Sequence, residues 1–214
     1  DLQKSLDILN DYCNKWNLEV NPEKSKIMVF RKRGGLSENE KWTYNGINLE
    51  SVDNFNYLGT VFNYTGTFAL NQEMIAGKGL KALNTLLANT KKFDLKPKTL
   101  LQMFDAFVGS TLSYSCEVWG FGKSQIIERI HLKFCKYLLH VKTTTNNIAV
   151  YGELGRYPLY ISRYVRIIKY WLKVVKSENI FIQYMYKTLL EGLQRGVNNW
   201  AKNVKKLLDE HGLS

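Results

Sequence analysis

Cysteine is scarce and scattered in this chain: three residues, Cys13, Cys116 and Cys135, in a length of 214. No C-x-x-C pair and no Cys/His cluster occurs. Neither a zinc site nor a disulfide framework is therefore indicated, and reduced structural thiols in an intracellular setting (nucleus or cytoplasm) are expected. No apolar run approaches the roughly 20 residues of a membrane-spanning helix. The first residues also lack the basic-then-apolar order of a secretory leader, so no membrane partner is expected. Proline is rare as well, with Pro22, Pro97 and Pro158 alone; the last two stand where helices tolerate them, at the first turn. Acid is missing from one region above all. From Phe121 to Lys176 eleven Lys and Arg face two acids, Glu128 and Glu153, a net of +9 out of +11 for the chain.

What is present fits an ordered protein. Apolar residues make up 45% and aromatics 13%, enough to build a core and to argue against disorder. The patterning predicts an α+β fold, mostly α: small antiparallel hairpins first, then a bundle of helices. A helix over 2–16 leads into a hairpin of strands near 18–20 and 26–31. A polar loop, "RKRGGLSENEK", follows. "WTYNGINLE" places Asn45-Gly46 between short apolar runs, the signal for a type I′ turn. "FNYLGTVFN" reads as one strand over 55–63.

Helical periodicity then sets in. Over 68–92, Ala76, Leu80, Leu83 and Leu87 are the expected core face, with Lys78, Lys81, Thr85 and Lys92 on another. Further helices are expected over 97–115, 124–141, 146–154, 158–176, 180–192 and 196–210. Ile127, Ile130, Phe134, Leu138 and Val141 form the core stripe of the third, and Ile161, Val165, Ile168, Leu172 and Val175 that of the fifth. Three segments are expected: 1–66, 67–122 and 123–214.

Two basic stripes stand out. Arg129, Lys133, Lys136 and His140 recur at helical spacing in the third helix, and Arg163, Arg166, Lys169, Lys173 and Lys176 in the fifth. Like charges three or four apart repel mildly, so two such rows with almost no acid point to an anionic partner, contacted through phosphates without base specificity. A plain solvated face is the alternative, an anionic membrane surface the lesser one. The tyrosines and Trp171 within 157–171 are expected to pack more often than to stack on bases.

"WNLEVNPEKSKIMVF" resembles the fourth polymerase motif of non-LTR (LINE-type) retrotransposon reverse transcriptases, and "FNYLGTVFN" resembles the fifth, the primer grip. "GKGLKALNTL" is similar to the first thumb helix. "SYSCEVWGFGKSQIIERIHLKFCKYLLHVKTTTNNIAVYGELGRYPLYI" is similar to the region after the thumb. The motifs occur in the family's order over residues 1–176. The resemblance implies the end of a palm, a thumb and a basic post-thumb region. It implies a general-acid role for Lys24, toward departing pyrophosphate, and primer-grip roles for Tyr57, Leu58 and Gly59. Lys78, Lys81, Arg129, Lys133, Lys136, Arg163, Arg166, Lys169 and Lys173 are the candidate contacts to an RNA/DNA template–primer. The plain structural readings are a turn lysine and an ordinary turn glycine.

The sequence departs from the family where metal chemistry is concerned. The paired aspartates that would hold Mg²⁺ in the intact enzyme have no counterpart here. No metal site is expected in this chain, and it is expected to be inactive alone, a fragment needing the parent's fingers and remaining palm. The rival readings are a non-catalytic nucleic-acid-binding or protein-interaction module, and a decayed element copy.

Overall fold

A computed structural model describes residues 2–31, 34–37 and 40–213; Lys32, Arg33, Glu38 and Asn39 of the expected polar loop lie outside it. The fold is α+β and mostly α, with three two-stranded sheets among the described residues. The chain divides into two compact units, residues 1–71 and 72–214. The expected segments 67–122 and 123–214 thus share one unit almost entirely.

In the first unit, helix α1 (Leu2–Lys15) is closed by Asn17 in the left-handed conformation, φ 50°, and by the Leu18 amide donating to the Cys13 carbonyl at 2.9 Å. This is a common helix ending. It also changes the expected topology, because a backbone that finishes a helix is not free to start a ladder. No strand forms at 18–20. Instead Asn21 organises a turn over Pro22, its side chain accepting from the Lys24 amide at 3.2 Å and its carbonyl from the Ser25 amide. Strand β1 (Lys26–Ile27) then pairs in parallel with β4 (Glu50–Ser51), not with 18–20 as a hairpin.

Strands β2 (Thr43–Tyr44) and β3 (Ile47–Asn48) form the expected hairpin. Asn45 and Gly46 both have positive φ, 49° and 74°, as a type I′ turn requires. Gln3 of α1 donates to and accepts from the Thr43 backbone, each at 3.0 Å, and so fixes the helix against this hairpin. Ile27, Tyr44 and Leu49 make the small core, with Leu6, Val20, Val29 and Trp42 around it.

The expected strand 55–63 is a second hairpin: β5 (Asn54–Tyr57) and β6 (Thr60–Asn63), joined by Leu58 and Gly59 at φ 48° and 81°. The glycine supplies one left-handed position freely; the leucine adopts the other at a steric cost.

The second unit is helical, and α2 (Ala69–Thr90) leads into it. Its buried face is Ile75, Gly79, Leu83, Leu86 and Thr90; of the expected face Leu83 is buried, Ala76 and Leu87 are half-buried and Leu80 is exposed. Gly79 decides this, since a Cβ there would lie 2.2 Å from Leu112 Cδ2. The absence of a side chain lets the Leu112 side chain pack directly onto the α2 backbone, and the helix turns that face inward.

Pro97 opens α3 (Pro97–Met103), which passes through a π-helical segment (Phe104–Gly109) into α4 (Ser110–Leu112). The short α5 (Cys116–Trp119), α6 (Gln125–Leu138), α7 (Asn147–Glu153), α8 (Leu159–Val175), α9 (Ile180–Gln194) and α10 (Trp200–Glu210) complete the unit. One part of its interior is aromatic: Phe104 lies between His131 and Phe134, ring centroids 5.3 and 4.4 Å away. Another joins Ile167 of α8 to Val204, Leu207 and Leu208 of α10, with Tyr164, Trp171 and Trp200 against them. All three cysteines are free and buried.

In α6 the expected core stripe is buried at Ile127, Ile130, Phe134 and Leu138, while Val141 stands past the helix and is exposed. In α8 the expectation is reversed. Ile161, Val165, Leu172 and Val175 face outward, and the inward face carries Arg163 and Ile167. Tyr160, Tyr164 and Trp171 of 157–171 do pack, Trp171 donating to the Tyr186 hydroxyl at 2.9 Å, but Tyr157 and Tyr170 are exposed.

Candidate nucleic-acid interface

The two basic stripes have different fates, and the cause is where acids from elsewhere in the chain come to rest. Arg163 is 1% exposed. Its Nη2 donates to the Lys123 carbonyl at 3.2 Å and to Glu128 Oε1 at 3.3 Å, and its guanidinium lies 6.0 Å from the Trp119 ring centroid. Glu128 does double service. Its two carboxylate oxygens also accept the Leu159 and Tyr160 amides, at 2.9 and 2.8 Å, closing the first turn of α8. Burial nonetheless holds the Glu128 carboxyl above the usual range, against the pull of those amides and of Arg163. Burial likewise lowers the Arg163 guanidinium.

Arg166 donates through Nε to Glu117 Oε1 at 2.9 Å, with Nη2 at 2.7 Å from the same oxygen. Arg156 forms a two-pronged pair with Asp105, at 2.7 and 2.6 Å. The expected phosphate contact at Arg163 is therefore corrected, since that side chain is buried against Glu128; Arg166 is paired with Glu117 but remains partly exposed. Taking Arg163 from Glu128 would leave a buried acid unpaired, at a cost of about 3–5 kcal/mol.

The α6 stripe is different. Arg129 and Lys133 are exposed, and with Lys136 they line a groove of about 440 Å³ completed by Leu132, Tyr137, Val141, Thr143 and Asn147. No acid lines it. Lys136 Nζ donates to the Thr143 carbonyl at 2.6 Å, holding the 139–146 turn across one end. Asn146 steadies the far side, its side chain accepting from the Ile148 amide at 2.8 Å. From position 129 to 136 the helix rises about 10 Å, the axial length of about three nucleotide steps. Tyr137 is 41% exposed, its ring 6.2 Å from that of His140. The charge pattern picks out the cations but misses Tyr137, Thr143 and Asn147. The signal for Tyr137 is its spacing, four residues after Lys133 on one helix face.

The remaining candidates are dispersed. Lys78 and Lys81 are exposed on α2, and Lys169 and Lys173 on α8. In the first unit, Lys24 is exposed on the Asn21 turn, and Tyr57 and Leu58 project from the tip of the β5–β6 hairpin. A groove of about 730 Å³ near Lys24 is lined by Glu19, Glu23 and Glu50 among others, but not by Lys24 itself.

Glu50, Asp53, Asp105, Glu117 and Glu128 are each paired with a Lys or Arg. Among the described residues no group of three His, Cys, Asp or Glu is placed to hold a metal ion. Nor, among them, is any helix long and apolar enough to cross a membrane.

No protein-family model matches the chain, and no solved structure matches it. A curated relative, the RNA-directed DNA polymerase from mobile element jockey of Drosophila funebris, is 24% identical over 140 residues, 64% of this chain and 15% of that protein. The match thus spans a small part of the relative's length. The chain is distantly similar to part of a retrotransposon RNA-directed DNA polymerase.

Proposed function

We propose that this chain is a C-terminal part of a non-LTR retrotransposon reverse transcriptase and that it holds the template–primer without performing the metal chemistry. The acid-free groove on α6 carries the reading. Arg129 and Lys133 meet successive phosphates there, and Lys136 shapes the groove through Thr143 while adding its charge. Tyr137 offers a ring for a base or sugar at the same place. Contacts of this kind position a backbone and carry no sequence information. An RNA–DNA hybrid, with A-form-like geometry, suits them because its grooves expose few readable base edges.

In the same reading Lys78 and Lys81 on α2, and Lys169 and Lys173 on α8, add longer-range attraction. Tyr57, Leu58 and Gly59 form the primer-grip tip, where a backbone turn with two left-handed residues approaches the primer strand. Lys24 is the general acid toward pyrophosphate in the assembled enzyme, within the nucleus or cytoplasm. The Mg²⁺-binding carboxylates belong to the parent polypeptide, and no step is assigned to them in this chain.

The test is fluorescence anisotropy with a labelled short RNA–DNA hybrid, competed by unlabelled hybrid, single strands and heparin at equal charge. The reading expects hybrid to compete better than heparin. Equal competition by heparin reduces the groove to a non-specific cation surface and defeats the proposal.

A further inference from the structure

Helix α8 carries two apolar faces, and the fold uses one. Tyr164, Ile167 and Trp171 pack inward against α10 and α9. Ile161, Val165, Ile168, Leu172 and Val175 recur at spacings of 4, 3, 4 and 3, the a/d repeat of a coiled-coil seam. Four of these five point outward: Ile161 is 36% exposed, Val165 45%, Leu172 39% and Val175 46%, while Ile168 reaches the edge of the core. An exposed apolar row of this kind beside a polar face ordinarily marks an interaction surface.

The edges of the seam say what covers it. With Val165 and Leu172 at a and Ile161, Ile168 and Val175 at d, the e positions are Ser162, Lys169 and Lys176, and the g positions are Tyr164 and Trp171. The g edge is thus occupied by the core, leaving one free flank, and that flank carries lysine in two successive heptads. The helix holds no acid.

We propose that this face docks an amphipathic helix with an aliphatic a/d seam and Glu or Asp along the edge facing Lys169 and Lys176. Charge argues against a second copy of this chain as the occupant. Antiparallel self-pairing sets the lysine flanks against each other, and parallel self-pairing sets lysines against the closed Tyr164/Trp171 edge. Phosphate contacts do not account for a continuous aliphatic row beside the lysines either. The inference is independent of the α6 groove and survives if that groove binds no nucleic acid.

The experiment uses the full chain and two labelled synthetic helices of three heptads, alike in their Leu/Ile seam, one with Glu and one with Lys at the flanking positions. The Glu-edged peptide is expected to bind at least about tenfold more tightly. V165D/L172D should lose at least a tenfold factor in affinity, with far-UV circular dichroism and thermal unfolding confirming that these outward substitutions leave the fold in place. The charge swap K169E/K176E should invert the preference toward the Lys-edged peptide, a result that a structural role for α8 does not produce. The proposal is overturned if the folded chain binds neither peptide or both equally. It is also overturned if sedimentation shows a dimer that V165D/L172D dissolves. Displacement of the Glu-edged peptide by an RNA–DNA hybrid, or by phosphatidylcholine–phosphatidylserine vesicles, would assign the face to those occupants instead.

Discussion

Arg129 and Arg163 are the same residue type on neighbouring helices, yet one faces solvent and the other is sealed against Glu128 and Trp119. Sequence spacing treats them alike, because the acid that neutralises Arg163 lies 35 residues earlier and the one that holds Arg166 lies 49 earlier. His131 is a further residue that charge counting leaves unread. It is fully buried, stacked between Phe104 and Tyr151, with the Arg156 Nε 3.3 Å from its Nε2. Arginine can only donate, so Nε2 accepts and the imidazole is neutral. Burial first, and the Arg156 charge second, push His131 down to about 3 from 6.5. The unfolded chain takes up this proton below pH 6.5 and the native one does not, so stability falls as pH falls from 6.5 toward 3. About 2 kcal/mol should be lost by pH 5. H131F, which keeps the ring stack, should lose about that much less than the natural chain when urea unfolding at pH 7 and pH 5 is compared. Glu128 titrates in both proteins and cancels in the difference.

Among the elements, the Asn45-Gly46 hairpin was legible because its turn chemistry is local, and the core stripe of α6 because only one of its faces is apolar. The second hairpin was not, since a left-handed leucine at Leu58 disguises the turn. Helix α8 is ambiguous from sequence for a sharper reason. The row 161, 165, 168, 172, 175 and the row 160, 164, 167, 171, 174 are both apolar at 4,3,4,3 spacing, and periodicity cannot choose between them. The buried Arg163–Glu128 pair and the packing of α10 choose.

In α2 the obstacle was Gly79, which adds nothing to a hydrophobic pattern yet marks the closest approach to Leu112. Helix propensity alone favours alanine over glycine by about 0.8–1.0 kcal/mol. G77A, on the exposed face with nothing within 4 Å of the new Cβ, should therefore be stabilising by up to that amount. G79A should be destabilising, with overpacking against the fully buried Leu112 costing about 1–3 kcal/mol before the propensity gain is set against it. Opposite signs for two glycines two residues apart, read by chemical denaturation, would confirm which face of α2 is inside; equal signs would reject it.

At the scale of the whole molecule, the +9 region is not a uniform cationic surface. Acids from Asp105, Glu117 and Glu128 neutralise three of its arginines from within the second unit. What remains is a cation-lined groove on α6 and a lysine-edged apolar face on α8, two surfaces that the sequence merges into one basic stretch. The resemblance to polymerase motifs is a reading of the sequence, and the relative from Drosophila funebris supports only a distant likeness; neither locates the groove, whose turn is held by Lys136.

The most direct measurement is the salt dependence of binding to an RNA–DNA hybrid, taken for the natural chain, for R129A/K133A and for K169A/K173A. Each lost phosphate contact should lower the slope of log K against log salt by about one. The account predicts a drop of about two for R129A/K133A and little change for K169A/K173A. An unchanged slope in R129A/K133A, with the loss appearing in K169A/K173A instead, would contradict it.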